Sequence, residues 1–193
     1  MQIVINTLLS KIKKYNPELN EAQISSRKFG LEILINELSK VIIYLIIFSI
    51  LSQTGYYLLS LCIYSSIRLA TGGYHAKSYL GCLIVSFIVF SAAILSGQYI
   101  TLIMPIKAAL LLVSLNITAI YAPVEHKNIT QKNRSRRKTF KWLSLLLVIF
   151  WSCFSFLLPG GWGVTAIATI FFEALMQPVG KWFNPVIRAE FRG

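Results

Sequence analysis

Trp142 to Pro159 reads WLSLLLVIFWSCFSFLLP, eighteen residues without one acidic or basic side chain. A run of that length and composition is what a helix needs to cross the hydrocarbon core of a bilayer. The rest of the chain has the same character: 55% of its 193 residues are hydrophobic, 13% are charged, and the mean hydropathy is +0.64. That charged fraction is about half of what a soluble domain carries. The 19 Lys and Arg against 7 acidic residues, net +12, resemble a nucleic-acid binder only if the apolar runs are ignored. No nucleic-acid partner is expected, and the charge is read beside a membrane lipid surface.

Working outward from that run, six apolar segments appear, about 38–52, 56–70, 79–97, 103–121, 142–158 and 162–178. Breakers separate them: SQTG at 52–55, TGGYHAKS at 71–78, Met104-Pro105, and Pro159-Gly160-Gly161. The expectation is an all-α polytopic membrane protein of about six transmembrane helices. Basic residues set its orientation, because cytoplasmic loops retain Lys and Arg. With both termini in the cytoplasm only Lys107 falls toward the outer side, and the loop EHKNITQKNRSRRK at 125–138 lies inside.

Two amphipathic pieces precede the first segment: Ile5, Leu8, Leu9 and Ile12, then Leu31, Leu34, Ile35 and Leu38. With Lys11, Lys13, Lys14, Arg27 and Lys28 beside them, they suit helices lying on anionic lipid, and packing on the protein's own helices explains the pattern equally well. One membrane-embedded domain over 1–193 is therefore expected, with amphipathic helices at 1–37, a bundle at 38–178 and a cytoplasmic tail at 179–193. No removable signal peptide is expected, since no basic stretch precedes the first apolar residues. Cys62, Cys82 and Cys153 lack the spacing of a disulfide framework or a zinc site.

Chemistry concentrates at RLATGGYHAKSYLGC, residues 68–82. Gly72 and Gly73 permit a tight reversal between two helices, and Ser78 is a plausible N-cap for the next one. Cys82 then falls in the first turns of that helix, where the positive dipole end and a nearby imidazolium favour thiolate, the reactive form. On one continuous helix His75 and Cys82 stand about 10 Å apart along the axis, too far to meet. They approach only if the stretch before Ser78 folds back over the helix start. Otherwise His75 is a polar interfacial residue and Cys82 a small packing residue, as Cys62 and Cys153 are within their apolar runs.

The stretch at 68–82, with Tyr121-Ala122-Pro123 and the basic loop after it, resembles the accessory gene regulator B (AgrB) family, membrane endopeptidases that process quorum-sensing propeptides. The resemblance covers essentially the whole chain, and its specific part is the His-x6-Cys spacing within GGYH. It implies a cysteine endopeptidase with Cys82 as nucleophile and His75 as general base. The substrate it implies is an AgrD-like propeptide, whose acidic tail is cut off and whose remainder is closed into a thiolactone or lactone. It implies no cofactor, a site at the cytoplasmic face of the cell membrane, and a homodimer as a reasonable assembly.

Around that site, Arg68, Lys77 and Ser78 are candidate substrate-binding residues, and Gly72 and Gly73 form the loop. Arg68 equally suits a topology anchor at a helix end. Glu173, inside the apolar run VTAIATIFFEALM, costs about 2.5–3.5 kcal/mol to insert on translocon scales unless it is paired. It is either an acid that orients His75 or a structural partner for a basic residue such as Lys181. No HExxH, GxSxG or Walker loop is present, so no metal site is expected. The rival class is a small transporter without proteolytic activity, which the apolar composition and Glu173 suit equally.

Overall fold

The computed structural model describes residues 21–72, 78–124 and 134–183, together with 7 and 10, and divides into two compact units, 1–47 and 48–193. Six helices make up these residues: α1 Glu21–Ile50, α2 Thr54–Thr71, α3 Tyr79–Tyr99, α4 Met104–Tyr121, α5 Arg134–Leu157 and α6 Gly160–Phe183. No strand occurs among the described residues. The all-α class expected from the sequence is what is found. Four helical stretches are long and apolar enough to cross a membrane: Tyr79–Tyr99, Met104–Tyr121, Arg137–Leu157 and Gly160–Trp182.

In the first unit Thr7 and Ser10 are helical, and the Ser10 hydroxyl donates to the Thr7 carbonyl at 2.8 Å. The second amphipathic piece and the first apolar segment form one uninterrupted helix, α1, so the division expected at residue 37 falls inside an element. No proline occurs from 21 to 50, and the helix runs through Gly30 without a break.

In the second unit the helix boundaries follow the breakers. Ser52 takes a positive φ of 56° at the α1–α2 turn. Gly72, at φ 71°, ends α2, Ser78 caps α3, Pro105 sits in the first turn of α4, and Gly160 opens α6 at φ 49°. Proline suits a first turn because its missing N–H is one of those left unbonded there.

α6 is the centre of this unit, packed against α2, α3, α4 and α5. Its spanning window is 67% buried, whereas those of α4 and α5 are 17% buried and turn most of their apolar surface outward. Leu146, Phe150 and Leu157 of α5 and Ile84, Ile88 and Leu95 of α3 are exposed, as lipid-facing side chains would be. Between the helices lie Ile63, Ile67, Leu111, Val148, Ala166, Ile167 and Ile170, all buried.

α6 also carries a polar ladder. Thr165, Thr169, Glu173 and Gln177 recur every fourth residue, along one slowly drifting face, and all are fully buried. Thr169 Oγ1 bonds Ser60 Oγ at 3.1 Å, and Gln177 Nε2 donates to Thr118 Oγ1 at 3.2 Å. Polar contacts of this kind join helices where lipid offers no hydrophobic drive for association. Near the start of α6 the contact with α3 is backbone to backbone. A Cβ on Gly97 would collide with Thr165 Oγ1, and one on Gly161 with the Gly97 carbonyl oxygen.

Candidate functional site

The end of α2 and the start of α3 lie at the end of the bundle where α4 and α6 finish. Ser78 is extended, and its hydroxyl accepts from the Gly81 amide at 3.1 Å, which is the N-cap expected for it. The Cys82 amide donates to the Ser78 carbonyl at 3.1 Å, so Cys82 stands in the first turn of α3 and is half-buried. Gly73, His75 and Lys77 lie outside the described residues. Cys62 and Cys153 are exposed on α2 and α5, and none of the three cysteines is in a disulfide.

Gly72 explains why a glycine ends α2. Its φ of 71° is one that side-chain-bearing residues rarely adopt, and a Cβ there would collide with the Val124 carbonyl oxygen. The Val124 amide donates to the Thr71 carbonyl at 2.7 Å. Ala122-Pro123, a cis peptide at the end of α4, thereby leads the chain straight onto the last turn of α2. Gly72 and the residue that follows the AP step, some fifty positions apart in sequence, are thus in direct contact.

Glu173 reaches the same turn from α6. Its Oε1 accepts from Thr71 Oγ1 at 3.3 Å, and its Oε2 lies 3.6 Å from Arg68 Nη1, with Glu173 fully buried and Arg68 nearly so. The basic partner of Glu173 is therefore Arg68, and Lys181 instead lies over the Tyr121 ring at 5.3 Å. Arg68 also stacks on Tyr64, 5.2 Å from the ring centroid. Tyr64 lies within electrostatic range of Arg68, Glu173 and Cys82, with Ser86 of α3 near its hydroxyl. Ser86 is one turn beyond Cys82 on α3, so Tyr64 lies between the Arg68–Glu173 pair and the cysteine helix.

Tyr64, Thr71, Ser86 and Val124 were not singled out by the sequence. Tyr64 and Ser86 stand four residues from Arg68 and Cys82, a spacing that places them on the same helix faces but does not say which face turns inward. Among the described residues no three His, Cys or Glu side chains come together as a metal would require. A cleft of about 270 Å³ opens at this end, lined by Tyr121, Pro178, Val179 and Trp182.

Fold and site together define a multi-pass helical membrane protein with a cysteine in the first turn of one helix and a largely buried Arg–Glu ion pair at the same end of the bundle. The family model of accessory gene regulator B matches residues 5–179. An AgrB-like protein of Clostridium beijerinckii is 30% identical over 161 residues, covering 81% of this chain and 79% of that one. No solved structure matches. The chain belongs to the accessory gene regulator B family, and its place is in the agr quorum-sensing system, where membership implies an AgrD-like propeptide substrate.

Proposed function

We propose that the protein is a membrane cysteine endopeptidase that removes the C-terminal tail of an AgrD-like propeptide and closes the remainder into a ring. The observation that carries this reading is the placement of Cys82 in the first turn of α3, behind the Ser78 cap, seven residues after His75.

In the proposed reaction the His75 imidazole takes the Cys82 proton, and the thiolate attacks the carbonyl preceding the acidic tail. The tetrahedral intermediate collapses as the imidazolium gives that proton to the departing amine. The tail leaves with a new amino terminus, and the peptide stays on Cys82 as a thioester. An internal thiol or hydroxyl of the peptide, losing its proton to His75, then attacks the thioester carbonyl and releases Cys82. Exchange of one thioester for another is nearly balanced, so exclusion of water favours ring closure over hydrolysis.

The site is proposed to face the cytoplasm, with both termini on that side. The exposed Arg137, Lys138 and Lys141 open α5 at the same end and attract an acidic tail electrostatically. Lys77, just before the cap, is a further candidate for that tail, and Ser78 holds the helix start that presents Cys82. The homodimer and bound lipid belong to this proposal as well.

The test is tail release from an AgrD-like propeptide by membranes holding each variant, followed by mass. Cys82→Ala and His75→Ala are expected to abolish release, while Cys62→Ala and Cys153→Ala retain it. Full release by Cys82→Ala would reject the mechanism, and no release by any form, wild type included, would favour a transporter.

A further inference from the structure

We infer that Glu173 is a positioning residue of the site, acting through Arg68 and Thr71: one buried carboxylate clamps the exit of α2, the point from which the chain runs to Cys82. This rests on the peptidase reading above. Each oxygen of the carboxylate faces a different group of the same helix turn, Oε1 toward Thr71 Oγ1 at 3.3 Å and Oε2 toward Arg68 Nη1 at 3.6 Å. From the other side the Val124 amide holds the Thr71 carbonyl at 2.7 Å, and the Val124 carbonyl occupies the space a Gly72 side chain would need. The last turn of α2 is thus gripped by α6 and by the segment after α4, although a helix end needs only one cap.

The chemistry of the α6 ladder argues that this grip does more than join helices. Its other rungs, Thr165, Thr169 and Gln177, are neutral. Gln177 bonds Thr118 as an amide, and an amide at 173 would accept the Thr71 hydroxyl equally well. A carboxylate is dearer to bury than an amide, so its presence at the one rung beside the α2 exit points to the charge it returns to Arg68. The charged and titratable groups facing it are Arg68 and Tyr64, and Tyr64 in turn lies near Ser86, on the helix of Cys82. Loosening Glu173 therefore frees both the turn that launches residues 73–77 and the guanidinium beside Tyr64.

Glu173→Gln keeps an acceptor for Thr71 and removes the charge; Thr71→Val removes the hydroxyl and keeps the shape; Thr71→Ser restores the hydroxyl. In full-length protein in membranes, with Cys62→Ala and Cys153→Ala as background, two rates are read: propeptide tail release, and alkylation of Cys82 by iodoacetamide at neutral pH. Glu173→Gln and Thr71→Val are expected to lower kcat by about tenfold with KM changed less than about twofold, and to slow alkylation. Thr71→Ser restores both rates. The proposal is overturned if Glu173→Gln keeps its kcat, if KM alone rises, or if Thr71→Ser falls as far as Thr71→Val. Should Glu173→Gln not accumulate in membranes, the Thr71 pair decides alone. Should Cys82→Ala still release the tail, the peptidase reading fails, and the alkylation rate of Glu173→Gln still judges the clamp: unchanged, it overturns it.

Discussion

Gly72 concentrates the constraints of the site into one residue. Its positive φ and the Val124 carbonyl oxygen in its Cβ space both exclude a side chain. Holding a non-glycine residue in such a conformation costs about 1–3 kcal/mol before the collision is counted. Gly72→Ala is expected to lower the thermal unfolding midpoint in detergent and to reduce tail release; an unchanged midpoint would show that the turn relaxes freely. Arg68 is equally particular, because it pairs with Glu173 while its planar guanidinium stacks on Tyr64. Lysine, a compact ammonium, cannot do both, so Arg68→Lys should resemble Arg68→Ala in tail release more than wild type.

At the scale of elements, α6 is held by two different devices along its length. Near its start, glycine lets it touch α3 backbone to backbone; deeper in the bundle, side-chain hydroxyls, an amide and a carboxylate reach its neighbours. Gly97→Ala and Gly161→Ala each force atoms into occupied space and are expected to destabilise by about 1–3 kcal/mol, read as a lower midpoint of detergent-solubilised protein. Gly30→Ala in α1 meets nothing within 4 Å and should leave the midpoint unchanged or raise it, since alanine is the better helix former. The α2–α5 contact is tested by Trp151→Phe, which deletes the 2.7 Å bond from Trp151 Nε1 to Ser66 Oγ and should cost about 0.5–1.5 kcal/mol.

For the whole molecule, the decisive quantity is which way the bundle sits in the bilayer. The exits of α2 and α4 are hydrogen-bonded to each other, so Thr71, Cys82 and Val124, the residue before the basic loop, share one end, and the α3–α4 connector at 100–103 follows a full crossing by α3. Under the orientation proposed above, in which positive charge is retained in the cytoplasm, that shared end lies inside. In a cysteine-free background, Ile100→Cys should react with a membrane-impermeant maleimide on intact cells, whereas Lys138→Cys should react only after lysis. The reverse pattern would place Cys82 outside, away from a newly made propeptide.

Much of this architecture was legible in the order of residues because each signal is local. Apolar runs mark helices, Gly72, Pro105 and Gly160 mark their ends, and Ser78 marks the start of α3, all through interactions within a few residues. α1 runs through residue 37 because a change from amphipathic to uniformly apolar composition alters what a helix faces, not whether the backbone stays helical. The neighbours of α2 were beyond the reach of such signals. Glu173 stands 102 positions from Thr71 and Val124 some fifty, and a buried carboxylate in an apolar run announces only that it needs a partner, not which one. The sequence by itself therefore determined the all-α class, most helix ends and the family to which the chain belongs. Tertiary packing alone chose Arg68 over Lys181 for Glu173 and brought Val124 onto Gly72, because burial forces each polar group to accept whichever partner the neighbouring helices deliver.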